Sequence, residues 1–187
     1  MREIRFHGRG CQGTVVASVV LAKAFFRAGY FVQTFPVFGV ERRGAPVEAY
    51  LRLDDRKIRV RSNVYTPDHV VVQDPRLLDT VDVTQGLKPD GWILLNAAER
   101  PGDPRFGDFR VAVVNAARIA LENRLGSRTQ PIINTAMLGA FARVLEAPSI
   151  ADVEAAIVEE IPVKPEANCR AARMAYDAVD LGTEVAA

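Results

Sequence analysis

His7-Gly8-Arg9-Gly10-Cys11-Gln12-Gly13 joins two segments of different character. Before it, Arg2-Glu3-Ile4-Arg5-Phe6 alternates as a strand does. After it, residues 14–26 are apolar enough for a packed helix. Strand, glycine-rich loop and helix are the layout of a phosphate cradle, because glycine lets the backbone come close and helix N-terminal amides favour anions. Gly8, Gly10 and Gly13 also spell a dinucleotide fingerprint. That fingerprint needs an apolar first strand and an acidic residue about 20 positions on. Here Ile4 and Phe6 share one face while Glu3, Arg5 and His7 share the other. Counting on from Gly13 reaches Phe31-Val32-Gln33-Thr34, and no carboxylate follows until Glu41. The nicotinamide reading is therefore disfavoured. A phosphate cradle using Arg9, Gln12 and Thr14 as added donors, and a tight turn with no ligand, both stay open.

Outward from this loop the pattern alternates between strands and helices. The spacing predicts strands at 2–7, 30–35, 46–53, 57–62, 69–73, 91–95 and 109–114. It predicts helices at 14–28, 115–124, 132–146, 150–160 and 165–181. Asp54-Asp55 reads as a hairpin turn, so the sheet should be mixed. The expected fold class is α/β, a three-layer sandwich with helices on both faces of the sheet. At 187 residues the chain reads as one module, 1–187, with a helical C-terminal segment from about 163. Gly29, Pro131, Pro148, Ser149, Asp152 and Pro165 mark expected helix ends.

Composition excludes several classes. Net charge is +1, which gives no bulk attraction to nucleic acid or an anionic membrane. The charged N-terminus and the absence of any long apolar run predict a cytoplasmic protein with no membrane partner. Cys11 and Cys169, with His7 and His69, form no metal-ligand spacing, so no metal site and no iron–sulfur cluster is expected on this chain.

A second cluster adds charge. Phe38-Gly39-Val40-Glu41-Arg42-Arg43-Gly44-Ala45-Pro46-Val47 sets two adjacent arginines between glycines. In a loop both can reach a phosphate or a carboxylate on a partner. From Glu41 to Ser62 there are seven Lys or Arg against four Asp or Glu, with Lys57, Arg59 and Arg61 on one face of the expected strand. A solvated basic face and a site for a polyanion or acidic partner fit this pattern equally.

Together, residues 6–13 and 35–47 resemble the gamma subunit of the 2-oxoacid:ferredoxin oxidoreductases, of which the pyruvate enzyme is best known. The resemblance continues through Ile58-Arg59-Val60-Arg61-Ser62, residues 65–74 and Asn134-Thr135-Ala136-Met137-Leu138-Gly139-Ala140. It departs at Cys11, where the family usually has glycine. The resemblance implies an oxidoreductase complex that decarboxylates a 2-oxoacid, pyruvate or another such as phenylglyoxylate, to its acyl-coenzyme A in anaerobic metabolism. It implies thiamine diphosphate, Mg2+ and [4Fe-4S] clusters in thiamine-binding alpha and beta subunits and a ferredoxin-like cluster subunit. Ferredoxin, or a flavin- and NAD-linked subunit, would accept the electrons. This chain would hold no cofactor alone and supply no catalytic residue. It would cap the active site and help bind coenzyme A through Gly8, Arg9, Gly10, Cys11, Gln12, Gly13, Thr14, Arg42, Arg43 and Gly44. Two other readings are a stand-alone nucleotide-binding reductase and a purely structural subunit.

Overall fold

A computed structural model describes the chain apart from Cys11, residues 39–44 and 183–187, and describes Phe38 by its backbone only. In chain order the elements are β1 (Arg2–Arg9), α1 (Thr14–Arg27), β2 (Phe31–Phe38), β3 (Pro46–Asp54), β4 (His69–Val72), β5 (Trp92–Asn96), β6 (Arg110–Val114), α2 (Ala116–Glu122), α3 (Asn134–Leu145), α4 (Ile150–Glu160) and α5 (Pro165–Ala178). Two short 3-10 turns, Pro75–Asp79 and Pro104–Phe106, follow β4 and β5.

The six strands form one mixed sheet in the order β2-β3-β1-β4-β5-β6. β1, β4, β5 and β6 are parallel, while β3 runs antiparallel to both β1 and β2. The sheet lies between two covering layers, as the sequence predicts. On one face Phe6, Leu51, Val71, Leu94 and Ala112 pack against the described α-helices. On the other, Val70, Val72, Ile93 and Val113 pack against Val83, Leu87 and Phe106 from the connections, so 3-10 turns and loops make that layer.

One predicted strand is absent. Residues 57–62 have no strand pairing, and Lys57, Arg59 and Arg61 are exposed on an irregular segment. β3 has only two edges, and β1 and β2 occupy both. The antiparallel hairpin is therefore β2–β3, not a hairpin folded at Asp54-Asp55. Arg52 ties the irregular segment down by donating to the Ser62 carbonyl at 2.7 Å.

Helix ends follow local chemistry. Gly29 takes φ +92° just past α1, where a Cβ would be strained. Ser149 caps α4 by accepting from the Asp152 amide at 3.1 Å, and Pro165 opens α5.

Candidate functional site

The glycine loop leaves the carboxyl end of β1, beside the parallel β4. After β1 the chain turns onto the helical face as α1. After β4 it turns onto the opposite face as the 75–79 turn. Neighbouring parallel strands whose connections depart to opposite faces leave a crevice at their carboxyl ends, where open α/β sheets bind ligands. Gly8, Arg9, Gly10, Gln12, Gly13 and Thr14 line that crevice from the β1 side, and Gln73 and Asp74 line it from the β4 side.

Two glycines are required by space and backbone angle. A Cβ on Gly8 would fall on the Thr14 hydroxyl and within 2.7 Å of Gln73 Oε1. Gly13 has φ +70° and faces Asn134, whose Nδ2 would stand 2.7 Å from an added Cβ. Gly10 is exposed, and among the described residues an added Cβ there would meet only Val47, at 4.0 Å. Beneath the loop, Thr14 donates its hydroxyl to Gln73 Oε1 at 2.6 Å. Gln73 is wholly buried, and among the described residues its Nε2 has no hydrogen-bond partner. A buried amide without a partner costs free energy and points to a further group at this spot.

Asp74 organises the rest of the loop. Its buried carboxylate accepts from Arg9 Nε at 2.8 Å, from Gln12 Nε2 at 3.2 Å and from the Arg76 guanidinium at 3.0 Å. Burial pushes its pKa up, but the bonds from Arg76 and Arg9 outweigh that and hold the carboxyl below its ordinary value. Gln12 also accepts from the Arg9 amide at 2.9 Å. Arg9 and Gln12 thus shape the loop from within. Asp74 thereby gathers two guanidiniums, those of Arg9 and Arg76, at the end of β4.

Next to the loop, the polar face of β1 is buried rather than solvated. Arg5 Nε donates to His7 Nε2 at 2.9 Å, and the Arg5 guanidinium also donates to the carbonyls of Val83 and Gln85. His7 Nδ1 lies 3.4 Å from Glu48, which accepts from the Tyr50 hydroxyl. Burial, with Arg5 alongside, pushes the His7 pKa down to about 3, so the His7–Glu48 contact joins a neutral imidazole to a carboxylate. Desolvation likewise lowers Arg5.

The structure brings Gly8, Arg9, Gly10, Gln12, Gly13 and Thr14 together in one crevice. Cys11, Arg42, Arg43 and Gly44 lie outside the described residues. The sequence reading gave no role to Gln73, Asp74 or Asn134. The signal was present for the first two: polar residues directly at the end of Val70-Val71-Val72, an apolar strand. Among the described residues, no three His, Cys, Asp or Glu side chains converge as metal ligands, and no helix is long and apolar enough to cross a membrane.

A mixed α/β sheet with a glycine loop at its switch point defines a class of anion-binding domains, and comparison with known proteins narrows it. The family described as pyruvate ferredoxin/flavodoxin oxidoreductase matches residues 3–178. A relative from Methanothermobacter thermautotrophicus, pyruvate synthase subunit PorC, is 52% identical over 181 residues, which cover 96% of this chain and 97% of the relative. The pyruvate/ketoisovalerate oxidoreductases common subunit gamma of Pyrococcus abyssi is 48% identical over 182 residues, 95% of this chain and 96% of the relative. The crystal structure of a Thermotoga maritima pyruvate oxidoreductase subunit, PORC, superposes with a TM-score of 0.80 at 36% identity, covering 96% of this chain and 97% of that one. The chain belongs to the pyruvate ferredoxin/flavodoxin oxidoreductase family, as a gamma-type subunit of a 2-oxoacid oxidoreductase.

Proposed function

We propose that this chain helps bind coenzyme A and caps the active site of a complex that oxidatively decarboxylates a 2-oxoacid to its acyl-coenzyme A. The observation that carries the reading is the crevice at the switch point. It has a glycine loop at the start of α1, the guanidiniums of Arg9 and Arg76 gathered on Asp74, and in its floor a Gln73 amide with no partner among the described residues. The phosphate groups of coenzyme A suit glycine amides and a helix N-terminus. Arg42 and Arg43, on the connection between β2 and β3, add two guanidiniums that grip phosphate well.

The 2-oxoacid we favour is pyruvate, which the names of both sequence relatives carry. One of those relatives is named a common subunit of pyruvate and ketoisovalerate enzymes. That supports placing substrate choice, including any aryl substrate such as phenylglyoxylate, in other subunits. Thiamine diphosphate with Mg2+ would supply the carbanion chemistry, and [4Fe-4S] clusters would carry electrons to ferredoxin or to a flavin- and NAD-linked subunit. With two cysteines in all, this chain's residues do not fit a cluster, so thiamine-binding alpha and beta subunits and a ferredoxin-like subunit would hold these groups. The chain's own work is positioning, in a cytoplasmic complex.

The test is Arg42→Ala with Arg43→Ala in the assembled complex. The KM for coenzyme A should rise about tenfold, the equivalent of roughly 1.4 kcal/mol of lost binding, while the KM for pyruvate holds. An unchanged KM for coenzyme A overturns the reading.

A further inference from the structure

We propose that a cavity beside the first turn of α1 is the seat of another subunit of the same complex, which inserts an apolar side chain flanked by a carboxylate. The cavity holds about 320 Å³ and lies where the starts of α1, α3 and α5 meet. Its mouth is ringed by Val16, Ile132 and Val163, which are 43%, 46% and 69% exposed. Three large apolar side chains left in water around one concavity are the mark of an interaction surface, and single exposed ones elsewhere are not.

Two cations stand at this mouth. Arg124 and Lys164 stand on the rim, and Lys164 Nζ donates to the Arg124 carbonyl at 2.8 Å. The Arg124 side chain has no ion-pair partner among the described residues. Glu160, the carboxylate in the lining, shares Lys23 with Glu159 and so is turned toward α1 rather than left unpaired. Neither α1 nor α3 has a side-chain cap or an acidic residue in its first turn, so their helix dipoles add to the two cations, while α5 carries Glu166 in its first turn. Asn134 is buried in the wall. Its Oδ1 accepts from the Thr135 amide at 2.9 Å, and its Nδ2 faces Gly13.

The walls are built in advance. Thr135 donates to Asn168 Oδ1 at 2.9 Å, and Asn168 Nδ2 donates to the carbonyls of Val163 and Lys164. All three bonds involve the buried Asn168 side chain, and they lock the entry of α5 against the start of α3. An apolar floor, exposed apolar lips and a cationic rim are the anatomy of a protein anchor pocket. A small ligand would be enclosed by the apolar groups rather than leave them standing in solvent. The family is one of multi-subunit enzymes, so the matching surface belongs to a neighbouring subunit.

The experiment uses the co-expressed complex. Val163→Asp, Ile132→Asp and Arg124→Glu are made singly, with Val163→Ser as a milder variant. Dissociation of this chain from the complex is followed by native mass spectrometry over a dilution series at low and high salt. Each Asp variant should dissociate at least tenfold more readily. Arg124→Glu should do the same and also flatten the salt dependence. The isolated variants should melt where the unaltered chain does, because the three positions are exposed. Folded variants that dissociate as the unaltered chain does overturn the proposal. So does unchanged assembly with a raised KM for coenzyme A, which would make the cavity a ligand pocket. This readout is independent of the Arg42 and Arg43 test, so either idea can fail alone.

Discussion

Asp74 is one short, buried side chain that holds the glycine loop in shape. It receives Arg9, Gln12 and Arg76, two of them as guanidiniums. Replacing it with alanine leaves Arg9 and Gln12 without their shared acceptor at the mouth of the crevice. Hydrogen bonds to a charged group contribute about 1.5–3 kcal/mol, and Arg76 is largely exposed, so Asp74→Ala should cost about 2 kcal/mol of folding stability. Urea denaturation measures that loss. On the proposed function the same variant in the complex should also weaken coenzyme A binding, because the loop assigned to its phosphates is released. Asp74→Asn should recover part of the stability, since its amide oxygen still accepts from Arg9. A variant as stable as the original would show that the loop holds itself without this carboxylate.

At the scale of elements, α3 and α5 approach closely at Gly139. A Cβ on Gly139 would run into the Ala172 carbonyl and stand 2.7 Å from Ala172 Cα. The obstacle is backbone, which cannot swing aside. Gly139→Ala should therefore destabilise by about 1–3 kcal/mol despite alanine's better helix propensity, read as a drop in thermal midpoint by circular dichroism. The helix itself was plain in the sequence, as were all five helices, because Ser149, Pro165 and Gly29 act on their own neighbours. Gly139 was only part of a resemblance, since nothing local says which backbone will press against it. The same limit explains residues 57–62. Their alternation is strand-like, but a strand needs a free edge to pair with, and β3 had none left. The loop from Gly8 to Thr14 was legible for its chemistry. Its floor was not, because Gln73 and Asp74 lie about 60 residues downstream and meet it only through the parallel pairing of β1 with β4.

Across the whole molecule the two halves of the second face differ in kind. Beneath β4, β5 and β6 it is an apolar core, while along β1 and β3 it is a ladder of Arg5, His7, Glu48, Tyr50 and Arg52. Buried polar side chains tie the stability of the sheet to pH. Burial brings the His7 pKa down to about 3 and that of His69 to about 4, against 6.5 when unfolded. As pH falls below about 6.5, the unfolded chain takes up protons that the folded chain refuses. The stability these histidines contribute is therefore complete above that pH. It is lost on acidification, at up to about 1.4 kcal/mol per pH unit for each fully buried group. Asp54, Asp74, Asp82 and Asp103, whose pKa values are lowered from 3.8, add their own loss only at more acid pH. Between about pH 6.5 and 4.5 the slope belongs to the histidines. His7→Gln keeps an acceptor for Arg5 and a donor toward Glu48 but cannot titrate. Urea midpoints of the two chains, taken across that window at constant m-value, should show a shallower slope for the variant. Parallel slopes would mean that His7 takes up its proton in the folded sheet, against the guanidinium of Arg5.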